Sequence, residues 1–247
     1  MDMQLITIGE AVKIIGVSID TLRRWDSSGK FSSIRKPGGH RYYNLSDVND
    51  YLTKSKVSKS DLFFLGSHWA TAKNMFEPNH LFYCPNSSVF LSRITKLQNE
   101  LAKVGVLRDM FPLIVAIAGE IGDNSFAHNI GKWPDIPGIF FAYDLAKKEI
   151  ILADRGQGIF KTLKRVRPDL KNDVDALRVA FTEIVSGRAP EERGNGLKFV
   201  RKVVTNNSMK LYFKTGNAEV KIEKGDTDLR VLKSNNYIKG CLVLIKF

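Results

Sequence analysis

Cysteine is scarce in this chain of 247 residues, with Cys84 and Cys241 as the two that occur. So few exclude a disulfide-stapled framework, and a reducing cytosol suits that usage best. Long hydrophobic runs are missing too. The longest, around Phe111 to Ala118, falls far short of the ~20 residues that span a bilayer. The opening MDMQLITIGE has no basic segment ahead of an apolar run, so no signal peptide is expected. Internal repeats and low-complexity blocks are also lacking. The expectation is a soluble, cytoplasmic protein with no membrane partner. Acidic residues run short, 26 against 38 Lys plus Arg, which leaves a formal charge of +12. That excess points to a polyanion such as nucleic acid or nucleotide phosphate. Hydrophobic residues reach 43%, enough for a core, and this excludes a wholly disordered chain.

The first 52 residues read as a small helical unit. Thr7 and Glu10 have capping-box spacing, and Ile8, Ala11, Val12 and Ile15 share one helical face. Gly16-Val17 makes a turn, and Ser18 caps a second helix over 19–25. Two short helices joined by a tight turn form a helix-turn-helix. Thr21, Arg23 and Arg24 are then available to the major groove, while Val17, Leu22 and Trp25 are candidates for the core. Pro37-Gly38-Gly39 between two basic extended segments is a hairpin tip. It gathers Arg35, Lys36, His40 and Arg41 on a wing suited to phosphate or minor-groove contact. A third short helix over 44–52 closes the unit. The run TLRRWDSSGKFSSIRKPGGHRYYNLSDV resembles the winged helix-turn-helix of the MerR and excisionase type, across about residues 4–52. The resemblance implies double-stranded DNA as partner. One unit reads one half-site, so a homodimer is expected.

Residues 53–60, TKSKVSKS, have no apolar periodicity and read as a linker. The aromatic-rich stretch 61–90 follows without an assigned role. Its aromatics are read either as core or as a base-stacking surface. An amphipathic helix is expected over 90–104, with Leu91, Ile94, Leu97 and Leu101 at helical spacing.

Residues 113–129 predict a helix that is apolar nearly all round in its first turns. Glu120, Asn124 and His128 lie on one stripe of it. An inward carboxylate and amide need a polar partner. A bound metal and polyphosphate would supply one; the alternative is a helix end turning amphipathic near the surface. The short apolar strand 149–153 ends at Asp154-Arg-Gly156-Gln-Gly158, where two glycines let backbone approach a ligand. Arg193-Gly194-Asn195-Gly196-Leu197 opens a further helix, and free amides at such an N-terminus suit phosphate.

In order, E-x-x-x-N on a helix, D-x-G-x-G after a strand and G-x-G-L opening a helix resemble the GHKL superfamily of gyrase, heat-shock chaperone, histidine kinase and MutL ATP-binding domains. The resemblance spans roughly 91–247, and the apolar run 239–247 matches its closing strand. The expected fold class is therefore α/β (α+β), a small winged helix-turn-helix domain followed by a two-layer α/β sandwich of GHKL type. The resemblance implies ATP and Mg2+ as cofactors. Asn124 would bind the magnesium, Glu120 would act as base, and Asp154 would accept from the adenine amino group. Gly156 and Gly158 would admit the base, and Gly194, Asn195 and Gly196 would hold phosphates under a lid over 186–193. Arg188 and Arg193 would be phosphate partners or solvated lid charges. Lys198 stands where many kinase members carry a third glycine. None of His40, His68, His80 and His128 has the flanking residues of a phosphoacceptor helix, so a self-phosphorylating sensor kinase is not expected. The function expected is a DNA-binding regulator whose ATP module modulates DNA binding or oligomerisation. The alternatives are a Ser/Thr protein kinase of the anti-sigma-factor type, acting on a protein partner, and a partner-binding module with a degenerate ATP site.

Overall fold

In the computed structural model the described residues are 4–15, 18–29, 31–48, 51, 62–184 and 195–247. They fall into two units, Met1–Asp61 and Leu62–Phe247. The predicted linker and the predicted lid lie outside the described residues.

In the first unit, strand β1 (Leu5–Thr7) leads directly into helix α1 (Ile8–Ile15). The capping box closes reciprocally. Thr7 N–H donates to Glu10 Oε2 at 2.8 Å, and Glu10 N–H donates to Thr7 Oγ1 at 3.3 Å. Ser18 caps α2 (Ile19–Ser27), accepting Thr21 N–H at 3.1 Å. The helix runs two residues past the predicted end. The Gly16-Val17 turn, and Val17 as a core residue, lie outside the described residues.

Strands β2 (Ile34–Arg35) and β3 (Arg41–Asn44) form the predicted hairpin. At its tip Gly38 and Gly39 have φ of 100° and 76°, a left-handed backbone that glycine adopts without a Cβ clash. Strand β1 pairs with the other side of β3, which makes a three-stranded antiparallel sheet. Residues 45–48 and 51 are helical, within the predicted third helix. Ala11, Ile15, Leu22, Phe31, Tyr43 and Val48 are buried together as the core. Trp25 is half-buried, with its ring 5.0 Å from that of Tyr51.

The second unit is built on a five-stranded antiparallel sheet in the order β4-β5-β6-β8-β7. Its strands are β4 (Tyr83–Cys84), β5 (Ile139–Asp144), β6 (Glu149–Asp154), β7 (Lys210–Glu223) and β8 (Val231–Lys246). The pleat sorts side chains by alternation. Ile150 and Leu152 join Phe141, Val243 and Ile245 in one core. Ile151 and Ala153 join Phe140 and Leu242 in another.

The larger core is completed by α4 (Ser87–Leu101), α5 (Phe111–Asn129), α7 (Asp173–Thr182) and α8 (Gly196–Asn206). Short helix α6 (Gly158–Leu163) follows the end of β6. Asn86 caps α4 by accepting Val89 N–H at 3.0 Å, so the helix starts three residues before the predicted Phe90. Within α5 the two glycines differ. A Cβ on Gly122 would lie 2.1 Å from the Phe90 ring, whereas Gly119 faces open space. Gly122 therefore allows α4 and α5 to pack closely.

The aromatic-rich stretch supplies the sheet's second face. Helix α3 (Leu62–Thr71) buries Leu62, Trp69 and Ala70 against Phe140, Ile151 and Leu242. This adds a partial third layer to the two expected, because Phe140, Ile151 and Leu242 are apolar and need cover on that side too. A buried arginine, Arg155, fastens α3. Its Nη1 donates to the Trp69 and Ala72 carbonyls at 2.5 and 2.9 Å, and its Nη2 meets Asp135 Oδ2 at 2.6 Å.

Candidate functional site

The predicted DNA-contacting residues divide by what holds them. Arg24 is exposed on α2, and Thr21 is half-buried in the first turn of the same helix. Arg23 is exposed and pairs with Asp20 at 3.3 Å. On the wing, His40 is exposed, and Lys36 Nζ lies 4.8 Å from the centroid of the Tyr42 ring. Arg35 stays exposed, with Nη2 3.6 Å from Asp26.

Arg41 is placed differently. Its Nε donates to Asp26 Oδ2 at 2.7 Å, and its side chain is 23% exposed. Asp26 Oδ1 also accepts Ser33 N–H at 2.8 Å. Burial works to raise the Asp26 pKa, but the Arg41 and Ser33 hydrogen bonds outweigh it and hold the group below 3.8. Asp26 thus ties the end of α2 to the wing, and Arg41 serves that tie.

The second candidate site brings together elements far apart in sequence. On α5, Asn124 Nδ2 donates to Glu120 Oε1 at 2.9 Å. The Glu120 carboxylate rests on the first residue of α8, where a Cβ on Gly196 would come 1.8 Å from Oε1. Asn195 is the N-cap of α8, and its side chain makes no capping bond. One residue past Asn124, Ser125 donates to Asp154 Oδ2 at 2.8 Å. The E-x-x-x-N helix therefore touches both the end of β6 and the start of α8.

Asp154 is 2% exposed. Its Oδ1 accepts Gly156 N–H at 2.8 Å. Burial is the main cause that pushes its pKa up to about 6, against the lowering effect of the Gly156 and Ser125 bonds. The surrounding glycines are required by space. A Cβ on Gly240 would lie 2.2 Å from Asp154 Oδ1, and one on Gly156 would lie 2.1 Å from Asn129 Nδ2. Gly158 has φ of 75°. Beside it, Thr215 Oγ1 accepts Ile159 N–H at 3.2 Å and donates to the Gly240 carbonyl at 2.8 Å.

Arg188, Arg193 and Gly194 lie outside the described residues. Sequence reasoning missed Ser125, Asn129 and Thr215 as parts of the site. Ser125 and Asn129 follow the Glu120–Asn124 stripe by one residue and five, a spacing that could have indicated them. Thr215 had no local signal.

Residues 7–43 match a family described as MerR family regulatory protein. No curated protein matches the chain. The first unit thus carries a MerR-type helix-turn-helix domain, a DNA-binding module of transcription regulators that typically works as a dimer. Among the described residues no helix is long and apolar enough to cross a membrane.

Two sets of measurements test these placements. Arg24→Ala should leave the melting temperature unchanged and reduce the salt slope of DNA binding by about one if it loses a phosphate contact. Arg41→Ala should instead cost ~1–3 kcal/mol of stability in urea, because Asp26 loses its hydrogen-bonded partner. The second concerns Asp154. Its raised pKa means the folded state holds a proton between pH 3.8 and about 6 that the unfolded state has released. Ligand-free stability therefore falls as pH rises through that window, and the full cost is present above it. Asp154→Asn should stabilise the ligand-free chain by up to ~3 kcal/mol at pH 8, with little gain near pH 4. Paired urea titrations at the two pH values check this.

Proposed function

We propose that the chain is a DNA-binding regulator whose second unit binds ATP with magnesium, and that nucleotide occupancy changes DNA binding or the association of two copies. The reading is carried by one observation. Glu120 and Asn124, Asp154, and Gly196 come from a helix, a strand end and a second helix start, and they are linked through two contacts, Ser125 to Asp154 and Glu120 to Gly196.

Each group suits its part. Asp154 is a buried acceptor, met by the Ser125 hydroxyl and the Gly156 amide. It would accept a hydrogen bond from the adenine amino group. Gly156 and Gly240 have α-carbons packed against Asn129 and Asp154, which leaves no room there for larger side chains. The uncapped amides at the start of α8 are donors for phosphate oxygens. Asn124 would be the protein ligand of the magnesium. Among the described residues no group of three His, Cys, Asp or Glu stands ready to hold a metal, so the phosphates would complete its coordination. Glu120 would orient or deprotonate an attacking nucleophile. Gly194 would hold phosphates beside Asn195 and Gly196, and Arg188 and Arg193 would contribute from the lid.

Coupling requires ATP to bind two states of the protein with different affinity. The test is a binding titration of the full chain with a duplex recovered from a random-sequence pool, with and without Mg-ATP at fixed salt. DNA affinity or oligomeric state should change, the affinity by about fivefold or more. Equal affinity with an unchanged oligomeric state would contradict the coupling.

A further inference from the structure

The buried arginine next to the base-accepting aspartate has no part in that reading. Asp154 ends β6 on the side of α5, where Ser125 meets it. The pleat sends the next residue to the opposite side, and Arg155 is fully buried beneath α3. There its Nε and Nη2 hold Asp135, at 3.1 and 2.6 Å to Oδ2. Its Nη1 donates to the Trp69 and Ala72 carbonyls at the end of α3.

The second backbone segment at the site is tied to the same point. Gly240 lies against Asp154, and its neighbour Lys239 places Nζ 2.8 Å from Asp135 Oδ2. Burial would raise the Asp135 pKa, but the bonds from Arg155 and Lys239 bring it down to about 2. The anion is therefore present at any working pH. Both backbone segments that flank the Asp154 carboxylate thus converge on Asp135, and through Arg155 on the last turn of α3. A cation at a helix C-terminus is favoured by the carbonyls that lack partners there. In sequence, α3 is the first described element after the DNA-binding unit.

We infer that Arg155 is a positioning residue that joins the nucleotide site to α3, so that a nucleotide held at Asp154 also holds α3 in place. A ligand that fixes residues 154–158 fixes the Arg155 backbone between them. The guanidinium then stays on the Trp69 and Ala72 carbonyls, and opening of α3 requires the site to empty. The inference rests on the nucleotide reading of Asp154 and adds its route of regulation.

The test is amide hydrogen exchange of the full chain with and without Mg-ATP, in wild type and Arg155→Lys. A segment whose opening needs an empty site is protected by 1 + [L]/Kd, about 100-fold at one hundred times Kd. Wild type should gain protection at 154–158 and also at 62–72, on the far face of the sheet. Arg155→Lys keeps the charge but loses the guanidinium fork. It should keep the first protection and lose the second. Protection at 154–158 with none at 62–72 in wild type overturns the coupling while the nucleotide reading stands. No protection in either segment of wild type removes the nucleotide reading, and the coupling with it.

Discussion

A buried carboxylate at the end of the central strand constrains the whole second unit. Charge without water is costly, so Asp154 must be met by donors. The Ser125 hydroxyl and the Gly156 amide provide them. They can reach it because the approaching backbone carries no side chains, at Gly156 and at Gly240. Even so, burial prevails and the pKa rises to about 6. The site is thus kept in a state that a hydrogen-bonding ligand would relieve. Groups that lower stability in order to receive a partner are common at binding sites.

The same strand end faces two ways. Asp154 belongs to the side of α4, α5 and α8, and Arg155 to the side of α3. The positive balance of the chain therefore serves different purposes at different positions. Arg23, Arg24 and Arg35 are exposed on a DNA-binding module. Arg41 is bound to Asp26 and shapes that module from within. Arg155 is buried and fastens a helix. Net charge alone separates none of these roles.

The local devices were legible in the sequence. The Thr7–Glu10 box, the Ser18 cap, the Pro-Gly-Gly tip and the helix bearing Glu120 and Asn124 all depend on neighbours within a few residues. Contacts between distant segments were not legible. β1 has three residues and no alternation long enough to mark a strand, and its pairing with β3 is what secures it. The stretch 61–90 read only as aromatic. Its place as cover for the sheet's second face depends on Phe140, Ile151 and Leu242, all fifty residues away or more. Thr215 and the Arg155–Asp135–Lys239 cluster are likewise products of the fold. The close approach of the Phe90 ring to Gly122 likewise joins two residues more than thirty positions apart, on different helices.

The role proposed for Asp154 is to accept a hydrogen bond from the amino group of adenine. Calorimetric titration of the full chain with Mg-ATP and Mg-ITP tests it most directly. Inosine carries a carbonyl where adenine carries the amino group, so an acceptor would face the carboxylate. ATP should bind, and ITP should bind about tenfold more weakly or worse, which corresponds to ~1.4 kcal/mol for the lost hydrogen bond. Equal affinity for the two nucleotides would contradict the role given to Asp154.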